Sequence, residues 1–338
     1  MRQFESTNKS GLLHFLASVS ILITKSPITS TRNLDTMISD RFQIGVPPGY
    51  NFWCTVYSHG WCALPPFSIQ KEGGTFSRIV SLEHDVLVEC IMRDGENKIT
   101  VLSRSESALS REQKVHIKHQ LRVCLRLDEE LSEFYAEAQR SPRFRWIPKA
   151  GAGRMLRAPT VFEDVVKMIC TTNCSWSLTE VMVQNLTTRL GECFEDGKYS
   201  FPTPEAIAGK SDAFLRKNIR AGYRSPYLLE LAKNVSSGRL DLESWRSSPV
   251  PTEDLFKIVK SVKGMGDYAA GNILKLLGRY DYLGLDSWVR RKFYDLHTKG
   301  RRVNDTTIEK HYAPFGKFRG LFFWLEMTRH WYKHKFPF

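Results

Sequence analysis

The stretch from Leu255 to Arg291 constrains this chain more than any other. Leu255, Ile258, Val259 and Val262 recur at helical spacing and give one apolar helical face. Gly264-Met265-Gly266 then breaks the pattern, and Tyr268, Ala269, Ile273, Leu274, Leu276 and Leu277 begin a second helix. Two helices joined by a Gly-x-Gly turn form a helix-hairpin-helix. The glycines allow a tight turn and bring bare backbone N–H groups, at a helix N-terminus, against an anion such as a phosphate. Contacts of this kind grip any nucleic acid alike, because phosphates carry no base information. Taken alone, the same turn is more often a plain helix connection.

Charge agrees with an anionic partner. The 338 residues carry 49 Lys and Arg against 36 Asp and Glu, a formal charge of +13. From Leu255 onward there are 17 Lys and Arg against 7 Asp and Glu, and a basic surface attracts a polyanion, most often nucleic acid. The longest apolar stretch, Leu12 to Thr24, is interrupted by His14, Ser18 and Ser20 and is shorter than the roughly 20 residues a membrane span needs. The seven cysteines are scattered and include no C-x-x-C pair. They fit reduced thiols in an intracellular compartment better than a disulfide framework, a zinc site or an iron–sulfur centre.

Three regions follow from the patterning. Residues 1–36 are Ser/Thr-rich with only Glu5 and Asp35 acidic; they read as a disordered extension, with an organelle-targeting segment as the alternative. Residues 37–108 form a small antiparallel β domain, in which Val86–Met92 and Lys98–Leu102 are strand-like runs joined by Arg93-Asp94-Gly95-Glu96-Asn97, which supplies an Asp-Gly turn signal. Residues 109–338 form a larger all-helical domain with no convincing strand, opened by a Ser110/Gln113 capping box. Pro159–Leu190 gives one or two helices, and further helices start at Pro204, at Ser225-Pro226 and at Pro251-Thr252. The fold class is α+β.

About twenty residues beyond Gly266 stands Asp286, in Gly284-Leu285-Asp286-Ser287-Trp288-Val289-Arg290-Arg291, at the head of another basic amphipathic helix. This combination resembles the helix-hairpin-helix DNA glycosylase superfamily of the Gly/Pro-Asp type, where the hairpin is followed by a short loop and a catalytic aspartate. Gly284-Leu285 stands where the family has a Pro or similar residue and a Val. Pro159–Asp164 leading into Ile169–Asn173 is similar to the family's helix entering a Ser-Ser-Asn or Gln-Gln turn. Phe201–Ile207 and Gly222-Tyr223-Arg224 resemble the corresponding region of 8-oxoguanine DNA glycosylases. The resemblance spans residues 121–331.

It implies an enzyme of base excision repair that flips a damaged purine, alkylated or oxidised, out of double-stranded DNA and hydrolyses its N-glycosidic bond. A carboxylate beside the sugar carbon stabilises the oxocarbenium charge and orients a water. Asp286 matches that position; without the family context, an Asp before a helix is more often simply a cap. Bifunctional members carry a Schiff-base lysine two positions after the second hairpin glycine. Here that position is Tyr268, and Lys263 and Lys275, which flank the hairpin, do not match it. The expectation is therefore a monofunctional glycosylase without lyase activity, as in the alkylpurine enzymes of the AlkA type. Leu178, where the oxidised-purine enzymes have a second arginine, points the same way, whereas Asn173 and Gly222-Tyr223-Arg224 pull towards oxidised purine.

Motif matching assigns further roles. Asn173 and Tyr223 fill the gap left by the flipped base and Arg224 hydrogen-bonds the orphaned partner base. Gly264, Met265, Gly266, Arg290 and Arg291 contact DNA phosphates, and Tyr268, Trp176, Trp288 and Phe318 line an aromatic base pocket. No cofactor is required, although the resemblance allows a monovalent cation at the hairpin carbonyls. The chain is expected to be monomeric and not to engage a membrane. Its location would be nuclear if eukaryotic, or mitochondrial or plastid if residues 1–36 are a transit peptide. The rival readings are a non-catalytic helix-hairpin-helix DNA-binding protein and an 8-oxoguanine-type glycosylase lacking the Schiff-base lysine.

Overall fold

A computed structural model describes residues 37–195 and 197–332; the expectations for residues 1–36 lie outside these. Five strands come first: β1 (Ile38–Gly45), β2 (Phe67–Gln70), β3 (Thr75–Ser81), β4 (Leu87–Gly95) and β5 (Lys98–Ser105), with helix α1 (Phe52–Val56) between β1 and β2. They make one antiparallel sheet in the order β1-β5-β4-β3-β2. The register sets Phe42, Val101, Met92 and Phe76 side by side across four strands. Of these, Val101, Met92 and Phe76 are completely buried, and a slip of one residue would turn the whole row to solvent. That row explains a small shift in the hairpin. Gly95 pairs with Lys98, so Asp94-Gly95 extends the strand and Glu96-Asn97 makes the turn, with Asn97 at φ +55°.

The helices follow as α2 (Arg111–Leu125), α3 (Ser132–Arg140), α4 (Trp146–Ala150), α5 (Val161–Thr171) and α6 (Trp176–Leu190). After them come α7 (Pro204–Ala208), α8 (Asp212–Phe214), α9 (Ser225–Ser236), α10 (Thr252–Ser261) and α11 (Asp267–Leu277). The last three are α12 (Ser287–His297), α13 (Asp305–Tyr312) and α14 (Arg319–Met327). The capping box forms as expected, Ser110 Oγ accepting from Gln113 N–H and Gln113 Oε1 accepting from Ser110 N–H. The helical region is not free of strand: β6 (Cys193–Glu195) and β7 (Lys198–Tyr199) pair as a short ribbon. Phe194 of this ribbon packs with Ile79 and Leu87 of the sheet, and Arg104 and Lys198 bind Glu89 and Glu195 around it.

Sheet and helices share one contiguous apolar core, from Ile44 and Phe76 through Leu121 and Ile169 to Ile273 and Phe322. A buried ion cluster crosses it. Arg78 of β3 donates to both oxygens of Glu163 at 3.1 and 2.7 Å, and Lys167 donates to the same carboxylate at 2.8 Å. Burial alone would raise the Glu163 carboxyl, but the two cations hold it below the usual carboxylate range. The carboxylate thus ties α5 to the sheet. No described helix is long and apolar enough to cross a membrane.

Candidate active site

The hairpin is the join between α10 and α11. Gly264 takes φ +90°, a left-handed conformation, and a side chain there would meet the Tyr227 ring at 2.9 Å. Met265 turns inward and is buried, while Gly266 is exposed and caps α11. The Met265 N–H is donated to the Val262 carbonyl at 3.0 Å, and it is the exposed backbone at Gly266 that sits where the α11 dipole favours an anion.

From the C-terminal end of α11 the chain returns through Tyr280–Leu285 to the head of α12. Asp286 is the N-cap residue of that helix, its Oδ1 accepting from Val289 N–H at 2.8 Å. The carboxyl group is at the same time part of a cleft of about 590 Å³. Tyr268 and Asn272 of α11, Thr171 at the end of α5, and Trp176 of α6 line the same cleft, with Trp288 beside Asp286. Burial, with the Asp286 carboxylate nearby, pushes the Tyr268 phenol up to about 12, so it stays protonated at neutral pH.

Two aromatic groups wall the cleft. Trp288, Trp324 and Trp331 cluster with ring centroids 5.8 to 6.3 Å apart. His59 and Trp61 meet edge to face at 5.0 Å. Trp61 is fixed by donating Nε1–H to Asp164 at 2.8 Å, an acid that burial pushes up to about 6. His59 donates Nε2–H to the Leu156 carbonyl at 2.6 Å and is held neutral by burial, its value pushed down to about 4. Between them, Gly60 is bare because the Trp176 ring lies on it: a Cβ would come within 2.3 Å of the indole.

Asn173 is exposed with φ +46°, between cleft-lining Thr171 and Cys174. Tyr223 projects beside it and donates its hydroxyl to the Thr172 carbonyl at 3.2 Å. Arg224 is buried, with its guanidinium 4.5 Å from the Tyr223 ring and one nitrogen donating to the same Thr172 carbonyl. It thus braces the rim from below. The structure accordingly brings Asp286, Tyr268, Trp176 and Trp288 into one cleft and Asn173, Tyr223 and Arg224 to its edge. Arg290 is taken up by a two-pronged ion pair with Asp305 at 2.8 Å, while Arg291 is exposed. Phe318 does not line this cleft; it packs 5.4 Å from Phe134 beneath Lys317, because the turn before α14 faces α3.

Sequence reasoning missed His59, Trp61, Asn272, Trp324 and Trp331. The one local cue was the aromatic run Gly60–Phe67, which reads as part of a β-rich region but contributes the cleft wall instead.

No protein-family model matches the chain. A Bacillus subtilis (strain 168) protein provisionally named DNA-3-methyladenine glycosylase YfjP is 23% identical over 171 residues, 49% of this chain and 58% of that protein. The match thus spans little more than half the relative's length. The structure titled 3-methyladenine DNA-glycosylase from Archaeoglobus fulgidus superposes with a TM-score of 0.69 at 20% identity, covering 86% of this chain and 99% of that one. The 8-oxoguanine glycosylase/lyase of Clostridium acetobutylicum gives 0.67 at 17% identity, covering 87% and 98%. The chain shares its fold with these two glycosylases.

Proposed function

We propose that the chain is a monofunctional DNA N-glycosylase of base excision repair, acting on a damaged purine in duplex DNA and favouring alkylated over oxidised bases. The observation that carries this reading is Asp286, a carboxylate set among aromatic rings in the cleft reached from the hairpin, with a tyrosine where a Schiff-base amine would stand. The hairpin amides hold a strand by its phosphates, Asn173 and Tyr223 occupy the space vacated in the stack, and Arg224 keeps their loop in place. The flipped base enters between the tryptophans. As the C1′–N bond breaks, its electron pair leaves with the base, and the Asp286 carboxylate faces the positive sugar. A water then adds to C1′ and passes its proton to the carboxylate.

The alkylated preference rests on the aromatic walls, since a cationic base stacks favourably on π faces, and on Leu178, which offers no cation to read a partner base. Names given to relatives support purine chemistry of both kinds. The hydrolysis needs no cofactor. A monovalent cation at the hairpin would be held by the carbonyl oxygens of the turn, an oxygen-only donor set that suits a hard ion. We place the enzyme as a monomer on double-stranded DNA, in the nucleus of a eukaryote, or in a mitochondrion or plastid if residues 1–36 direct it there.

Incubation with duplexes carrying single lesions, followed by alkali, tests the proposal. Base release is expected from at least one alkylated purine, and borohydride is expected to trap no protein–DNA adduct. Tight binding with no release from any lesion would favour a DNA-binding module instead. A trapped adduct would overturn the monofunctional assignment, and Lys292, the lysine among the described cleft-lining residues, would be the amine to examine.

A further inference from the structure

One face of α11 presents Tyr268, Gly271, Asn272 and Lys275 at positions i, i+3, i+4 and i+7. Gly271, Asn272 and Lys275 meet the returning segment that ends at Asp286, and Tyr268 feels the Asp286 charge. Gly271 allows the close approach, since a Cβ there would lie 3.1 Å from Gly284 Cα. Asn272 Nδ2 donates to the Tyr268 carbonyl at 2.9 Å and to Gly284 O at 3.5 Å. Lys275 has no solvent exposure, and its Nζ donates to Leu283 O at 2.5 Å and to Asn272 Oδ1 at 3.1 Å. Gly284, at φ +63°, fits directly over this amine: a Cβ would meet Nζ and Asn272 Nδ2 at 2.8 Å.

We infer that Lys275 is a positioning residue for Asp286, its buried ammonium pinning the Leu283 carbonyl to α11 and so fixing the height of the carboxylate in the cleft. This rests on the reading of Asp286 as the hydrolytic carboxylate. A fully buried lysine is costly to a fold, and a leucine or methionine would pack α11 without that penalty. Burial lowers the Lys275 ammonium to about 7, with the Asp286 carboxylate acting in the opposite direction. The titratable groups that feel its charge are Asp286 on the loop side and His59 on the sheet side. His59 stays neutral above about pH 4, and Tyr268, which faces Asp286, stays protonated to about 12.

The test compares wild type, Lys275→Met and Lys275→Gln in the full chain. The Met variant is expected to keep its affinity for abasic-site duplex and to melt no lower than wild type at pH 6, below the value of about 7 at which Lys275 loses its proton, because a buried charge has gone. Its kcat for base release is expected to fall about 10- to 100-fold, the cost of a carboxylate misplaced by about an ångström. Gln, which still donates to Leu283 O, is expected to recover part of that rate. Wild-type kcat should decline as pH rises through about 7, and both variants should lack that decline. Unchanged kcat and pH profile in an active Met variant would overturn the inference. So would a Met variant that melts lower and loses DNA affinity along with rate, since the amine would then be structural. If Met does not fold, a Gln variant with wild-type kcat and pH profile would also overturn it. Wild type that releases no base overturns the reading of Asp286 itself, a result distinct from these.

Discussion

At the scale of single residues, Asp286 combines a capping contact with the proposed hydrolytic role, and a substitution can separate the two. Its carboxylate caps α12 through Val289 N–H and also faces the cleft. Asparagine caps about as well as aspartate, so Asp286→Asn is expected to leave the melting temperature essentially unchanged. Base release should fall about 10²- to 10⁴-fold; full activity in this variant would remove Asp286 from the chemistry. Asp286→Ala should lose both functions and about 1 kcal/mol of stability. That Asp286 and Tyr268 come together in one cleft was legible in the sequence, because both are placed by their spacing from the hairpin glycines. His59 and Trp61 were not. Their place in the cleft depends on hydrogen bonds to the Leu156 carbonyl and to Asp164, about a hundred residues further on, and no local pattern encodes such a contact.

Among the elements, the hairpin turn is the most exposed to test. In Gly264→Ala a methyl group would sit in a left-handed conformation and against Tyr227, at a strain of about 1–2 kcal/mol. If the turn grips phosphates, fluorescence anisotropy should show affinity falling by a similar factor, roughly 10-fold, for damaged and undamaged duplexes alike. A loss confined to damaged DNA would mean that the turn does something other than hold the backbone. Most helices were legible from apolar spacing and their caps, as at Ser110 and Asp286. The β6–β7 ribbon was not, because strands of three and two residues are too short to show alternation. The hairpin turn between β4 and β5 was displaced from Asp94-Gly95 because the buried row across the sheet, not the turn residues, sets the register.

For the whole molecule, buried titratable groups set the response to acid. His59 and His297 are both pushed down to about 4, His59 chiefly by burial and His297 by burial together with the Arg143 guanidinium. The unfolded chain takes up these protons near pH 6.5, the folded chain only near pH 4, so their stabilisation is complete above 6.5 and is lost as pH falls. Asp164 works the other way, since its raised carboxyl lets the folded chain bind a proton from about pH 6 downward. His311, lowered by burial and by the Arg143 guanidinium, acts in the same direction; with three histidines against one carboxyl, the melting temperature should decline between pH 6.5 and 4, and His297→Gln should remove part of that decline. A temperature that holds level or rises over this interval would contradict the assignment. None of this was legible beforehand, because burial of a histidine is a property of the assembled core.

The contact of Gly60 with Trp176 has a consequence for how such a molecule can diversify. The wall it builds comes from a short segment after α1, whereas the turn at Gly264–Gly266 belongs to a helix pair some two hundred residues later. This part of the cavity wall and the strand attachment are thus written in separate stretches of the gene product, so drift at the wall can reshape the cavity while the turn stays intact.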